Sequence, residues 1–282
     1  MEEIKIMKLA CKRHEFQTFC NHSPTALGWK AESASERIQQ RFRALEIKSD
    51  FHMHTNFTDG DSSVQDMIRA ANEKGLAKIA ITEHIRAGSP WVDKYIEAVE
   101  NGRKSSGSAV ILGFETKLLD MNGTLDISKS AENRAELIVC SLHRIPGLNI
   151  MEGDTTIQKL DPHKTKEVYL EALRAICRNK SVDIIGHPFD LLHKFNITMP
   201  DETEMHNLAS FIGAHGKAVE INTNYCVPPP EFIRICRFHG VKFSIGSDAH
   251  HASKVGDISW ALEMLRSAGG NKNDVMDLMR SD

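Results

Sequence analysis

The sequence predicts a parallel α/β protein, and three observations lead to this fold class. Short apolar runs, typical of strands, alternate seven times with stretches of helical periodicity. The runs are apolar throughout, as in strands that are buried on both faces of a parallel sheet. Histidine, aspartate and glutamate residues follow these runs repeatedly, at the point where each strand ends. Because functional groups of such proteins lie at that edge of the sheet, we expect a site there.

Each predicted strand is followed by a predicted helix. The strands are the run from Ile47 to His52, Ala77–Ile81, Ala109–Phe114, Leu137–Leu142, Val182–Ile185, Ala218–Ile221 and Val241–Ile245. The helices are Val64–Lys74, Trp91–Lys104, a polar stretch before Leu137, Thr165–Arg178, Thr203–His215, one from Pro228–Pro230 through Phe238, and Ser259–Ser267. Ser62 and Gln65 have the spacing of a capping box for the first helix, and Gly75 follows its last turn.

The chain divides into three predicted parts: residues 1–47, residues 48–270 and residues 271–282. The first part contains a predicted short amphipathic helix from Ser33 to Glu46, with Ile38, Phe42 and Leu45 on one face. We interpret this extension as an accessory cover, or as an element through which a partner or a second copy of the chain docks. Residues 48–270 form the catalytic domain, and residues 271–282 form a polar tail.

The composition is that of an ordinary globular protein and argues against several classes. Apolar residues make up 41% and charged residues 26% of the 282 residues, and the net charge is −3. This charge gives no argument for nucleic-acid binding. No apolar run approaches the roughly 20 residues of a membrane span, and the acidic Met1–Lys5 stretch lacks the apolar core of a secretory signal. We therefore expect a cytoplasmic protein without a membrane partner.

The six cysteines are scattered and form no CxxC pair. Several lie in apolar stretches, which suits reduced core thiols in a cytosolic protein better than a disulfide framework. Cys11-x2-His14 and Cys20-x-His22 offer residue types that bind zinc. Their spacing matches no zinc module that we recognise, so we assign them no metal.

The stretch from Asp50 to Gly60 is the centre of the predicted site. His52 and His54 point to the same side of a strand, because strand side chains alternate with a period of two. Neutral imidazole nitrogens at that spacing can bind one divalent metal ion. Asp59 lies just beyond, where an Asp-Gly turn can direct its carboxylate back over the site. A strand with two hydrogen-bonded histidines is the alternative interpretation of this stretch alone.

Further histidines and carboxylates follow the later strands and argue against that alternative. The complete set is His52-x-His54, Asp59, Thr82-Glu83-His84, Glu115, Ser141-x-His143, Gly186-His187-Pro188 and Ser247-Asp248-Ala249-His250. This ordered set resembles the motifs of the PHP (polymerase and histidinol phosphatase) family. The resemblance runs from about Lys48 to Ser267 and implies a distorted seven-stranded (β/α) barrel of the TIM-like type.

The resemblance also implies three divalent metal ions. In the family pattern the first is bound by His52, His54, Glu115 and Asp248, the second by Glu115, His143 and His187, and the third by Asp59, His84 and His250. Mixed imidazole and carboxylate ligands suit zinc, manganese or iron, and the sequence does not choose among them. Two metals can turn a bridging water into hydroxide and neutralise phosphate oxygens during in-line attack.

Other residues at the strand ends are candidates for binding a substrate. Arg144 follows His143 and could pair with a phosphate oxygen, although a solvated loop arginine would look the same. Lys117 is a similar candidate, and so is Arg86. Asn222 and Asn224 could bond a substrate or serve a turn. The loop of residues 144–159 is longer than the usual strand-to-helix connection, which is typical of substrate loops.

The favoured function is hydrolysis of a small phosphate monoester, such as a histidinol-phosphate-like metabolite, by a metal-bridging hydroxide. Glu115 would bridge two metals, and Asp248 or His250 would assist departure of the alkoxide through bound water. The alternative is a nuclease or nucleotide phosphodiesterase that acts on short oligonucleotides or nucleotides. A metal-containing scaffold without turnover is a third interpretation, which the intact ligand set disfavours.

Overall fold

The computed structural model of the protein describes residues 47–146, 148, 150–151 and 161–278. Its main sheet has seven strands: β1 Ser49–Asp50, β2 Lys78–His84, β3 Ala109–Lys117, β4 Leu137–Ser141, β5 Ile184–Gly186, β6 Ala218–Asn222 and β7 Phe243–Gly246. The helices are α1 Val64–Glu73, α2 Val92–Arg103, α3 Lys129–Glu132, α4 Pro162–Arg178, α5 Asp190–Lys194, α6 Glu202–Ala214, α7 Pro230–Phe238 and α8 Ser259–Ser267. The helix predicted at residues 33–46 and the Cys/His pairs before it lie outside the described residues.

The strands pair in chain order, and every pair in this sheet is parallel. The two edges meet beyond the ends of β1 and β7, where Phe51 N donates to Ile245 O at 2.9 Å and Asp248 N donates to His52 O at 2.9 Å. The sheet is therefore a nearly closed barrel. This confirms the predicted α/β fold with seven parallel strands.

Apolar side chains fill both faces of the sheet, as the uniformly apolar runs predicted. The larger core lies between the sheet and the surrounding helices. A smaller core lies inside the barrel and consists of Phe51, Ala80, Ile111, Leu137, Val139, Ile184 and Ala218. On β3, Glu115 lies four residues after Ile111 and therefore faces the same interior. The polar side chains at the strand ends thus lie above an apolar plug.

The N-cap of helix α1 is Ser63, one residue after the predicted cap Ser62. The Ser63 hydroxyl accepts from Asp66 N at 3.2 Å, and the Asp66 carboxylate accepts from Ser63 N at 3.2 Å. The capping box predicted at Ser62 and Gln65 was therefore wrong. The Ser62 hydroxyl instead accepts from Ala252 N at 2.9 Å, so a contact distant in sequence takes the group that local spacing assigned to a cap.

Two segments outside the regular alternation have local structure. Part of the predicted substrate loop forms a short antiparallel pair between Arg144–Ile145 and Ile150–Met151. In the described part of the polar tail, Met276 N donates to Phe243 O at 2.8 Å, which attaches this segment to β7. None of the helices in the described ranges combines the length and apolar character that a bilayer span requires.

Gly186, the last residue of β5, leaves room that the barrel interior needs. A Cβ atom at this position would overlap Ser141 Oγ and lie 2.8 Å from Val139 Cγ1. Both neighbours belong to the adjacent strand β4, which is fully buried and cannot move freely. We therefore predict that Gly186→Ala lowers the free energy of unfolding by about 1–3 kcal/mol, as overpacked cores do.

Chemical denaturation of the two proteins tests this prediction. Gly88→Ala is the matched control, because a Cβ atom there meets no heavy atom within 4 Å. A Gly186→Ala protein with the stability of wild type would show that β4 and β5 separate easily, contrary to the tight packing described here.

Candidate metal centre

The nine residues predicted as metal ligands converge at the carboxyl ends of the strands. Four of them, His52, His54, Glu115 and His187, are about 1% exposed, whereas the Asp59 side chain is 51% exposed. The centre is therefore buried on one side and open to solvent on the other.

The first group of side chains surrounds one point deep in the barrel. His52 Nε2 and His54 Nε2 are 3.0 Å apart, and each lies 3.5 Å from Glu115 Oε2. Asp248 Oδ1 lies 3.5 Å from His54 Nε2. This is the group of four residues that the family resemblance assigned to the first metal.

The second group lies on the other side of the same glutamate. Glu115 Oε1 is 3.2 Å from His143 Nε2 and 3.1 Å from His187 Nε2. The two oxygens of one carboxylate thus face two different pairs of histidines. This is the geometry that a residue bridging two metal ions requires.

The third group is closer to solvent. Asp59 Oδ2 lies 3.3 Å from His84 Nε2 and 3.2 Å from His250 Nε2. The other nitrogen of His84 approaches Glu115 Oε2 at 2.7 Å, so His84 links this group to the buried ones. The imidazole ring of His54 stacks on that of His84, with the ring centroids 4.2 Å apart.

The donor atoms fit divalent metal ions. Within the described residues three sets have ligand atoms that all lie within 4.8 Å of one another: His52, His54 and Asp248; His84, Glu115 and His143; and His54, Asp59, His84 and His250. Among the described residues, buried His54 Nδ1 has no hydrogen-bond partner, and Glu115 Oε2 is approached by His84 Nδ1 at 2.7 Å without the geometry of a hydrogen bond. Buried polar atoms without partners are costly, and bound cations would satisfy them. Imidazole and carboxylate donors suit zinc, manganese and iron.

The charges in the centre are strongly coupled. Burial alone would raise the pKa of Glu115, but the surrounding histidines outweigh it and hold this pKa well below its usual range. Burial would also raise the pKa of Asp248, and its neighbouring histidines likewise lower it. For His52 burial opposes protonation, yet Glu220, Glu115 and Asp248 raise its pKa well above the ordinary value. The carboxylates are therefore ionised, and they favour positive charge nearby.

Two further carboxylates contact the histidines from behind, and the sequence analysis assigned neither of them a role. Glu220 Oε1 lies 2.7 Å from His52 Nδ1, and Asp190 Oδ2 lies 2.9 Å from His187 Nδ1. Glu220 is the one charged residue in the apolar run Ala218–Ile221 of β6, which is the signal that could have identified it. Asp190 lies three residues after His187, at the start of α5.

Glu83 supports the loop that carries Asp59. Its carboxylate accepts from Thr55 N at 2.6 Å and from the hydroxyls of Thr55 and Thr58. Burial raises the pKa of Glu83 to about 7, although these hydrogen bonds oppose the shift. Glu83 is the penultimate residue of β2, and its carboxylate holds the segment that leads from the buried histidines to Asp59.

The predicted substrate-binding residues have partners of their own. Asn222 and Asn224 donate through their side-chain amides to Asp248 Oδ2, at 3.4 and 3.2 Å. Arg144 donates to the carbonyl oxygens of Leu118 and Leu119, at 3.2 and 2.7 Å. Lys117 pairs with Asp126 at 3.4 Å, and Arg86 approaches the same carboxylate at 3.6 Å. The asparagines thus contact the centre directly, whereas the cations are held at its margin.

Comparisons with known proteins agree with this geometry. The model of the PHP domain family matches residues 50–224. A curated "probable phosphatase" from Caldicellulosiruptor saccharolyticus is 28% identical over 225 residues, covering 75% of this chain and 82% of the relative. Another from Vibrio vulnificus is 26% identical over 245 residues, covering 82% and 89%.

Solved structures show the same fold. The structure of histidinol phosphate phosphatase from Lactococcus lactis, complexed with zinc, L-histidinol and phosphate, matches with a TM-score of 0.59 and 19% identity. The match covers 80% of this chain and 95% of that chain. The family match spans more than half of the chain and includes seven of the nine converging residues. The chain therefore belongs to the PHP domain family, and it is a metal-dependent phosphoesterase.

Proposed function

We propose that this phosphoesterase hydrolyses a phosphate monoester of a small molecule, and that the nine converging residues bind three divalent transition metal ions. The observation that carries the proposal is the position of Glu115. Its Oε1 faces His143 and His187, and its Oε2 faces His52 and His54. One buried carboxylate thus joins two potential metal sites.

The proposed ligands follow the three groups of side chains. The first metal would be bound by His52, His54, Glu115 and Asp248, the second by Glu115, His143 and His187, and the third by Asp59, His84 and His250. His54 also lies near the third group, but a neutral imidazole has one lone pair and serves one metal. Its Nε2 lies 3.0 Å from His52 Nε2, which favours the first group.

Zinc, manganese or iron ions bound in pairs would activate a water molecule as the nucleophile and neutralise the phosphate oxygens. The contribution of the chain is to hold the charged carboxylate ligands in fixed positions. Glu115 is buried on all sides, so its two oxygens cannot turn towards solvent. Asn222 and Asn224 fix Asp248 Oδ2, which leaves Oδ1 directed at His52 and His54.

Asp248 and His250 are the proposed residues that assist departure of the leaving group. His250 Nδ1 lies 3.0 Å from the backbone carbonyl oxygen of Asp248, a contact that orients the His250 ring. The His250 side chain is 35% exposed, whereas that of Asp248 is 4% exposed. His250 is therefore the one of the two that solvent and a leaving alkoxide reach, and a proton would pass through water beside it.

The substrate class rests on the relatives and on the margin of the centre. The curated relatives are described as phosphatases, and the Lactococcus lactis enzyme binds L-histidinol and phosphate. Arg144 and Lys117 are proposed to attract the anionic substrate, although their present partners hold them at the margin.

We predict that protein purified without chelator contains up to three transition metal ions per chain. Elemental analysis by mass spectrometry measures their number and identity. Prolonged dialysis against a chelator should remove both metal and activity, and added zinc or manganese should restore them. A protein that is active while containing only traces of zinc, manganese and iron would contradict the metal assignment.

We predict that Glu115→Gln is the most damaging change of a single carboxylate, because it removes the charge shared by two metal groups. Metal content should fall by at least one ion per chain, and turnover should fall by more than about 100-fold, since the loss of an outer partner alone costs about 10–100-fold. Glu83→Gln is the matched control: Glu83 is also buried, but its oxygens bond Thr55 and Thr58.

The same two measurements decide the outcome for these variants. The Glu83→Gln protein should keep the metal content of wild type. If the Glu115→Gln protein kept full metal content and normal turnover, Glu115 would not bridge the two groups.

We predict that metal-loaded protein hydrolyses small phosphomonoesters faster than phosphodiesters. The panel should include histidinol phosphate, nucleoside monophosphates, linear and cyclic dinucleotides and short single strands. In oxygen-18 water the label should enter the released phosphate, and no phosphoryl-enzyme should be trapped. Turnover of the diesters or oligonucleotides with monoesters untouched would assign the protein to the nuclease branch instead.

A further inference from the structure

We propose that Glu220 is a positioning residue that holds histidines of two metal groups at once. This inference rests on the proposed function, because it concerns the ligands His52 and His187. Glu220 contacts neither the reacting atoms nor the open side of the centre. Its role would be to fix how these two histidines face the metal ions.

The contacts of Glu220 are unusual for a strand residue. Its Oε1 lies 2.7 Å from His52 Nδ1, and its Oε2 accepts from the backbone N–H of His187 at 2.6 Å. The side chain is 1% exposed, so no water competes for either oxygen. Each oxygen of one buried carboxylate therefore binds a residue of a different metal group.

The contact with His52 selects one tautomer. An ionised carboxylate can only accept a hydrogen bond, so His52 must carry a proton on Nδ1. The lone pair then lies on Nε2, the atom that faces His54 Nε2 at 3.0 Å and Glu115 Oε2 at 3.5 Å. A carboxylate behind a histidine fixes tautomer and ring orientation in this way at many metal sites.

The contact with His187 fixes the backbone. His187 has a positive φ of 24°, which a residue with a side chain adopts only when its surroundings enforce it. Glu220 accepts from the N–H of this residue, and Asp190 contacts its ring from behind. Together they direct His187 Nε2 towards Glu115 Oε1, at 3.1 Å.

The neighbouring strand is shaped around this carboxylate. A Cβ atom at Gly246 would overlap Glu220 Oε1 and lie 2.8 Å from His52 Cβ. Only glycine at this position lets β7 pass so close to Glu220. The barrel thus leaves a space in which the glutamate reaches both histidines.

The variant Glu220→Gln tests the inference. A carboxamide has one acceptor and one donor, so glutamine can satisfy His52 Nδ1–H or His187 N–H but not both. We expect metal affinity, measured by chelator competition on metal-free protein, to fall by about 10–100-fold. The visible absorption spectrum of the cobalt-substituted protein should also change, because the ligands at two metals are displaced.

Asp50→Asn is the matched control. Asp50 is likewise fully buried and accepts from two backbone N–H groups, those of Ser247 at 2.9 Å and Gly256 at 2.8 Å. Replacing this carboxylate by a carboxamide should lower the melting temperature of the protein, but it removes no contact with a histidine ring. We expect its metal affinity to change by less than about threefold, well short of the loss in Glu220→Gln.

The outcomes separate this inference from the proposed function. Wild-type protein that binds no transition metal would overturn both. If wild-type protein binds metal, and a folded Glu220→Gln protein has the same metal affinity and the same cobalt spectrum, the positioning role alone is overturned. An equal loss of affinity in Asp50→Asn would do the same, since it would indicate a general packing effect. If Glu220→Gln does not fold, Glu220→Asp, which keeps both acceptors but is too short to reach both donors, is measured instead with the same expected losses.

Discussion

The structure depends on one electrostatic constraint, which is the concentration of negative charge at the mouth of the barrel. Asp59, Glu115 and Asp248 all contact the same small set of imidazoles, and the last two are buried. Carboxylates placed so close together repel one another unless positive charge lies between them. The histidines supply part of that charge by protonation when no ion is bound. Divalent metals would supply it without protons, and they would satisfy the buried atoms that lack partners.

The fold provides the space for this arrangement through layers inside the barrel. Apolar side chains such as Phe51 and Ile111 close the bottom. Gly186 and Gly246 lie above them, where any side chain would overlap a neighbour. Gly246 leaves the space in which Glu220 reaches the histidines, and Gly186 lets β5 pack closely against Ser141 and Val139 of β4. The catalytic end of the barrel is therefore built on the packed apolar interior below it.

The sequence predicted the fold and the nine converging residues because both are periodic or local features. Apolar runs define strands, and a histidine at a strand end needs no distant information to be noticed. Glu220 was missed because its partner His52 lies 168 residues away, and spacing along the chain does not encode such a contact. Ser62 was misassigned for the same reason, since its hydroxyl bonds Ala252 rather than the helix. Local patterns name the ligands, whereas tertiary contacts determine what supports them.

The backbone at the strand ends shows how closely support and function are linked. His187 and Asp248 both have positive φ values, 24° and 53°; His187 directly follows β5, and Asp248 lies two residues after the end of β7. Such conformations cost of order 1–3 kcal/mol each and persist only where surrounding contacts enforce them. Here Glu220 binds the N–H of His187, and the N–H of Asp248 donates to His52 O at 2.9 Å, where the two edges of the sheet meet. Both strained residues contribute side chains to the centre, so the contacts that hold their backbone in place also fix the geometry of the centre.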